Sequence, residues 1–229
     1  MLDDPARCVG ACLPDMLSAI DRRCRLRERN VRPLLIDPDP FTRDVMTGVL
    51  MHLDDDAWFH AGEPFLTTSA RLTRAIRREL PTDDSHRVGF LGHILVEIFL
   101  DRWLIERDAT LLPRLHRSLD SIDPNKLETL VNRAATKPTE RLAPMYRRMV
   151  SERFLDDYPH DEPLLRRING VLKRVTLPQL EPRFALLLGQ WHREFVVPVA
   201  TTLLPPDVAN GVTSGSSDVS QEPPREIGA

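Results

Sequence analysis

The chain has 229 residues, of which 41% are hydrophobic and 28% are charged, and its formal net charge at pH 7 is −3. This composition is that of an ordinary globular protein, long enough for one sizeable α domain or two small ones. The charge balance excludes a global attraction to nucleic acid or to an anionic membrane, and no apolar run reaches the length of a membrane span.

The N-terminus and the cysteines indicate a cytoplasmic protein. Residues 1–5 carry neither the basic segment nor the apolar segment of a secretory signal. Three cysteines, Cys8, Cys12 and Cys24, give no even disulfide framework, and none has the paired spacing of a zinc site. We therefore expect reduced thiols in the cytoplasm.

Helical patterns dominate the first part of the chain. Asp4-Pro5 is typical of an N-cap followed by a first-turn proline, and it predicts a helix through about Arg27. A proline-rich connector follows. Thr42 is the expected cap of the next long helix, which Gly62 should end.

The remaining helices follow in chain order, and strand patterns are nearly absent. We expect one helix from about Phe65 to Leu80, then a loop from Pro81 to Ser85, then a long helix. Later helices are expected to start at Asp123-Pro124, at Thr139 and at Asp161, and a last one to run from about Pro182 to Leu204.

These signals predict an all-α protein: a single bundle of about eight helices over residues 1–204. The segment from Pro205 to Ala229 is rich in Pro, Gly, Ser and Asp and has few large apolar residues. Such a segment cannot bury enough apolar surface to offset the entropy of ordering, so we expect a disordered C-terminal tail.

Two runs place ionisable side chains at helical spacing where apolar ones would be expected. They are His52, Asp56 and His60 in the first run, and His93, Glu97 and Asp101 in the second. Each run steps by four residues, so its three side chains lie along one face of a helix. That face is also the apolar one in both helices, and burying so many ionisable groups requires compensation. A bound pair of divalent metal ions would compensate all six.

The donor types indicate which metal would bind. Imidazole nitrogen with carboxylate oxygen suits Mn, Fe, Zn or Mg, and we expect Mn first. Asp15, among apolar residues of the first helix, is a seventh candidate ligand. The alternatives are ordinary: core histidines with satisfied hydrogen bonds, or a solvated helix face. We expect the two long helices to pack together so that the two runs share one pocket.

Arginines form two clusters, and their fork geometry favours phosphate and carboxylate partners. The first comprises Arg22, Arg23, Arg25, Arg27, Arg29 and Arg32. The second comprises Arg71, Arg74, Arg77 and Arg78. A solvated face paired with the chain's own acids is the simpler interpretation, and docking of an acidic partner is the functional one.

With these residues in view, the chain resembles the acyl carrier protein phosphodiesterase family, a helical metal-dependent group similar to the HD-domain phosphohydrolases. The likeness spans roughly residues 8–176 and rests on four short stretches. They are Gly10 to Asp15, Gly48 to Trp58, Glu97 to Leu104, and Tyr158 to Arg174. The resemblance implies an HD-domain-like fold and a metal-dependent phosphoric diester hydrolase that removes phosphopantetheine from acyl carrier protein or cleaves a related phosphoester.

We assign candidate roles to these residues. Asp56, His60 and Asp101 are the candidates for catalysis, and Lys173, Arg174 and Arg102 are the candidates for binding the phosphate. The chain departs from the family pattern at His60, Glu97 and Arg102, and the family's opening segment with its histidine is missing, as if the start were truncated. These departures motivate the alternative of a non-catalytic helical binding or scaffold protein that retained the fold without the chemistry.

Overall fold

The computed structural model describes residues 2–80, 84–206 and 208–209. Within these ranges the protein is all-α, with ten α-helices and no β-strand. The helices are α1 (Pro5–Ile20), α2 (Glu28–Val31), α3 (Pro40–Ala61), α4 (Glu63–Glu79), α5 (Val88–Arg107), α6 (Leu111–Asp120), α7 (Pro124–Ala134), α8 (Leu142–Glu152), α9 (Asp161–Arg174) and α10 (Phe184–Trp191). Among these helices, none is both long and apolar enough to cross a membrane.

Short non-α turns connect or extend these helices. Three are 3₁₀ segments, at Arg32–Ile36, Asp84–His86 and Phe154–Asp157. A π-helical segment, His192–Val196, continues α10 and passes into a 3₁₀ segment, Val197–Leu203. Pro198 has no N–H to donate, so an α-helical ladder cannot continue through this position, and the predicted single helix to Leu204 is broken there.

Two hydrophobic cores organise the helices. One joins α1, α2, α3, α7 and α8, and includes Leu13, Val45 and Tyr146. The other joins α4, α5, α9, α10 and the segments after it. Helix α3 contributes to both, because Val45 belongs to the first core while Phe59 packs against the second. The second half of α3, which carries His52 to His60, therefore lies where the two cores meet.

Glycines set the closest helix contact, between α1 and α3. A Cβ on Gly10 would lie 2.1 Å from the Val45 carbonyl oxygen, and a Cβ on Gly48 would lie 2.1 Å from the Arg7 carbonyl oxygen. Each helix thus approaches the other's backbone at a residue without a side chain. A glycine also permits the close packing of α5 against α4, because a Cβ on Gly92 would lie 2.1 Å from Thr73 Oγ1.

Several predicted boundaries are wrong by a few residues. The first helix ends at Ile20 instead of Arg27, because Asp21 adopts an extended conformation and Leu26 then forms an isolated β-bridge with Ala135. The cap of α3 is Asp39, whose carboxylate accepts from the Phe41 N–H.

Three other differences occur later in the chain. The predicted start at Thr139 is held in a loop by two hydrogen bonds with Asn132, so that α8 begins at Leu142. Helix α6 was not predicted, and α10 begins at Phe184 rather than Pro182. The predicted tail, apart from Pro205, Pro206, Val208 and Ala209, lies outside the described residues.

A buried ion-pair cluster surrounds Arg102 beside the second core. Its guanidinium donates to Glu106 Oε1 at 2.7 Å and to Asp161 Oδ1 at 2.6 Å. His192, only 2% exposed, lies beside this cluster, and its Nε2 has no hydrogen-bond partner among the described residues. Burial, and then the charge of Arg102, lower the pKa of His192 from 6.5 to about 4.

The glycine contact predicts a matched pair of substitutions. Gly48→Ala should lower the free energy of unfolding by about 1–3 kcal/mol, because the new methyl group collides with the backbone of α1. Gly170→Ala, in α9 with no atom within 4 Å of the new Cβ, should leave stability unchanged or raise it by up to about 1 kcal/mol. Urea unfolding of both variants measures the difference, and equal effects would contradict the close approach.

His192 predicts a pH dependence of stability. Its folded pKa lies below its unfolded value, so the unfolded chain binds the extra proton as the pH falls below about 6.5. Stability should be complete above about pH 6.5 and fall by up to about 3 kcal/mol as the pH approaches 4. His192→Gln, which cannot titrate, should remove that part of the pH dependence in urea unfolding curves. Parallel curves for the two proteins would contradict the assignment.

Candidate metal centre

Two long helices supply the ionisable side chains of the site. Helix α3 presents His52, Asp56 and His60 from its second half, and α5 presents the second run. Helix α4 follows α3 directly and packs along α5, so the C-terminal end of α3 lies against the middle of α5. This arrangement brings the two predicted runs together, as expected from the apolar character of both faces.

The centre of the site is formed by His60, His93 and Glu97. His93 Nε2 lies 3.2 Å and His60 Nε2 3.6 Å from Glu97 Oε1. One ligand atom from each of the three residues lies within 4.8 Å of the other two. Asp56 extends the group, since its Oδ1 lies 3.0 Å from His60 Nε2. Two imidazole nitrogens and the Glu97 carboxylate thus converge, with Asp56 beside His60, and this donor set suits a divalent cation.

Aromatic packing fixes the two imidazoles. The rings of His60 and His93 stack with centroids 4.7 Å apart at an interplanar angle of 15°. The Phe65 ring contacts both imidazoles edge-on, with its centroid 4.6 Å from that of His60 and 4.9 Å from that of His93. His60 Nδ1 is buried and makes no hydrogen bond within the described part of the chain. The rings are therefore held by packing, with their Nε2 atoms toward the carboxylates.

A second group of side chains adjoins this centre from α1. Asp15 Oδ1 lies 4.0 Å from His52 Nε2. Burial and the charge of Asp15 raise the pKa of Asp101, and a hydrogen bond with Cys8, burial and the charges of Cys8 and Asp15 raise the pKa of Cys12. Asp101 is open to solvent, yet protein surrounds it closely enough to desolvate its carboxylate. A group that is both exposed to solvent and desolvated by surrounding protein lies in an open cleft.

The carboxylates of the cleft repel one another when they are ionised. Burial raises the pKa of Glu97 to about 8, with further contributions from the charges of Asp15, Asp101 and Asp56. Burial and the charge of Asp15 raise the pKa of Asp101 to about 7. The pKa of His93 is lowered by burial and by the neighbouring His60. A cation in the cleft would relieve the repulsion between the acids and leave the imidazoles neutral, as ligands must be.

The three residues predicted to bind phosphate lie in other surroundings. Arg102 is buried and donates to Glu106 and Asp161, in the cluster next to His192. Lys173 and Arg174 are exposed in the last turn of α9, and no side-chain hydrogen bond or ion pair to them is present among the described residues.

Sequence reasoning missed three contributors to the cleft. The sequence predicts Phe65 only as the start of a helix, because its spacing does not distinguish a residue that lines a site from one in the core. Tyr158 is buried, and its raised pKa comes from burial and then from the charge of Asp101, so it lies near the floor of the cleft. A third, Cys12, precedes Asp15 by three residues, and this helical spacing was an available signal.

Comparisons with known proteins add no relative: no family model, curated protein or solved structure matches the chain.

The donor set predicts stabilisation by metal. Mn²⁺ at about 100 times its dissociation constant should stabilise the fold by about 2.7 kcal/mol, which is roughly 5–10 °C in melting temperature. His93→Ala and Glu97→Gln should each abolish most of this shift. His160→Ala replaces an exposed histidine at the start of α9 and should retain it. The measurement is thermal unfolding with Mn²⁺ or EDTA, and an equal shift in all four proteins would place the metal elsewhere.

Proposed function

We propose that this protein is a metal-dependent phosphoric diester hydrolase. The observation that carries the proposal is the convergence of His60, His93 and Glu97, with ligand atoms within 4.8 Å of one another in a cleft that solvent reaches. Two-metal and one-metal hydrolases use such nitrogen and oxygen donors on facing helices. Asp15, His52 and Asp101 provide donors for a second cation beside the first.

In this proposal, some residues hold the cation and others position its ligands. His60, His93, Glu97 and Asp56 hold a cation, and the aromatic contacts of Phe65 keep the two imidazoles in place. When bound, a divalent cation supplies Lewis-acid polarisation of a phosphoryl oxygen and makes water a stronger acid. Manganese is the first choice, with iron, zinc and magnesium as the others that suit the donors.

Asp101 is the residue best suited to move a proton. Its pKa of about 7 lets it exist in both protonation states near neutral pH, and its carboxylate is open to the cleft. In the proposed reaction, Asp101 delivers a proton to the leaving oxygen of the ester or accepts one from attacking water. Tyr158 is buried, and its pKa is raised by burial and then by the charge of Asp101.

The resemblance to acyl carrier protein phosphodiesterases supplies the first specific substrate to try, the phosphopantetheine ester of acyl carrier protein. Arg102 donates to Glu106 and Asp161, so its guanidinium already has two carboxylate partners. The phosphate would then be bound by the cation and by groups at the cleft, and a different phosphodiester fits the same donors equally well.

The activity test compares variants on a generic diester. With Mn²⁺, the protein should hydrolyse bis(p-nitrophenyl) phosphate, and Asp101→Asn should reduce kcat by about 100-fold or more, the usual contribution of a general acid or base. His160→Ala should match the unaltered protein. Release of phosphopantetheine from holo acyl carrier protein, followed by mass spectrometry, tests the specific substrate.

The result also separates the two functional alternatives. Metal-dependent melting together with Mn²⁺-dependent turnover supports the hydrolase. Melting that does not respond to metal, with no turnover of either substrate, supports the non-catalytic helical binding protein instead.

A further inference from the structure

A row of arginines on α4 lines one side of a concavity away from the metal centre. Arg71, Arg74 and Arg78 line it from one side, with Ala75 between them, and Glu194 and Phe195 line it from the π-helical segment after α10. The spacing of three and then four residues puts the three arginines on one face of the helix. The cavity volume is about 310 Å³, which is at the small end of ligand sites.

These three guanidinium groups lack the carboxylate partners that ten other arginines have among the described residues. Arg167 pairs with Asp157 and Glu152, and Arg183 pairs with Glu79 and Glu181. By contrast, no ion pair within 4.0 Å is present at Arg71, Arg74 or Arg78 in the part of the chain that the structure describes. Three cations on one helix face repel one another, Glu194 offsets only one of the three charges, and an added anion would relieve the remaining repulsion.

Two contacts organise the arginines in advance. The Arg71 guanidinium lies over the Phe195 ring, 5.1 Å from its centroid. Arg74 Nε donates to the Ala70 carbonyl at 3.3 Å, which leaves its terminal nitrogens for other acceptors. Cation–π stacking and a backbone anchor reduce the freedom that long side chains lose on binding, so these contacts favour a bound anion.

The charge count indicates which anion fits. Three arginines and Glu194 leave a net charge of +2 around the cavity. A phosphate monoester carries about −1.5 to −2 at pH 7 and offers three acceptor oxygens. Guanidinium groups bind such oxygens in pairs of parallel hydrogen bonds. A carboxylate would satisfy only half of the charge.

We propose that Arg71, Arg74 and Arg78 form a binding site for a phosphate monoester group, carried by a small metabolite. The site is separate from the metal centre. At 1.5 Å per residue, Arg71 and Arg78 lie about 9 and 20 Å along α4 from Phe65, which walls the metal cleft. The inference therefore does not depend on the hydrolase proposal.

The test measures phosphate binding to the metal-free full chain by isothermal titration calorimetry. EDTA is present throughout, so that phosphate bound to a metal does not contribute. Inorganic phosphate and phenyl phosphate are the probes. Arg74→Gln and Arg78→Gln should each weaken binding about tenfold or more, because each removes charge-assisted hydrogen bonds. Arg77→Gln is the matched control, since Arg77 is an exposed arginine of the same helix that does not line the cavity.

Each outcome decides the proposal. Saturable binding that Arg74→Gln weakens and Arg77→Gln leaves within about threefold supports the site. No saturable binding at millimolar phosphate overturns it, and so does an equal loss in Arg74→Gln and Arg77→Gln, which would reflect the general charge of α4.

Two peptide arms identify the source of the phosphate. A phosphoserine peptide that binds more tightly than phenyl phosphate, and depends on Arg74, keeps the site but makes a protein its source. Poly-glutamate binding without phosphate binding overturns the proposal in favour of an acidic protein surface.

Discussion

The close approach of α1 and α3 is the constraint on which the rest of the structure depends. Backbone contacts at Gly10 and Gly48 bring the two helices closer than any side chain would permit. At that separation Asp15 on α1 comes within 4.0 Å of His52 on α3. Gly92 performs the same task between α5 and α4. The positions of the chemical groups thus follow from three residues that have no side chain and no chemistry.

The second constraint is electrostatic. A cleft that gathers Asp15, Asp56, Glu97 and Asp101 opposes its own formation, because each ionised carboxylate disfavours the others. Burial and this repulsion raise the pKa values of Glu97 and Asp101, so these groups hold protons where charge would be costly. Such clusters occur mainly at functional sites, since packing alone gives no reason to keep them. The fold tolerates the cost because two apolar cores lie on either side of the cleft.

Much of this architecture could be predicted from the sequence. The all-α class followed from apolar periodicity and from Asp-Pro caps, and the four-residue steps of the two ionisable runs indicated that each lies on one helix face. Helix ends were harder, because they depend on tertiary contacts such as the bridge between Leu26 and Ala135 or the Asn132 hydrogen bonds that hold Thr139. The pairing of Arg102 also could not be predicted, since its partner Asp161 is 59 residues away along the chain. Pairings at such separation leave no local pattern.

Helix α3 belongs to both cores, and this has a consequence for how the molecule loses its structure. If each core had its own helices, one half of the protein could open while the other stayed intact, as subglobal unfolding commonly proceeds. Here Val45 and Phe59 lie on one continuous helix, so opening either half strains the other through it. The cleft lies on that shared helix, so the opening of either half disrupts it. The protein should thus behave as one cooperative unit, and its site should persist for as long as the whole fold does.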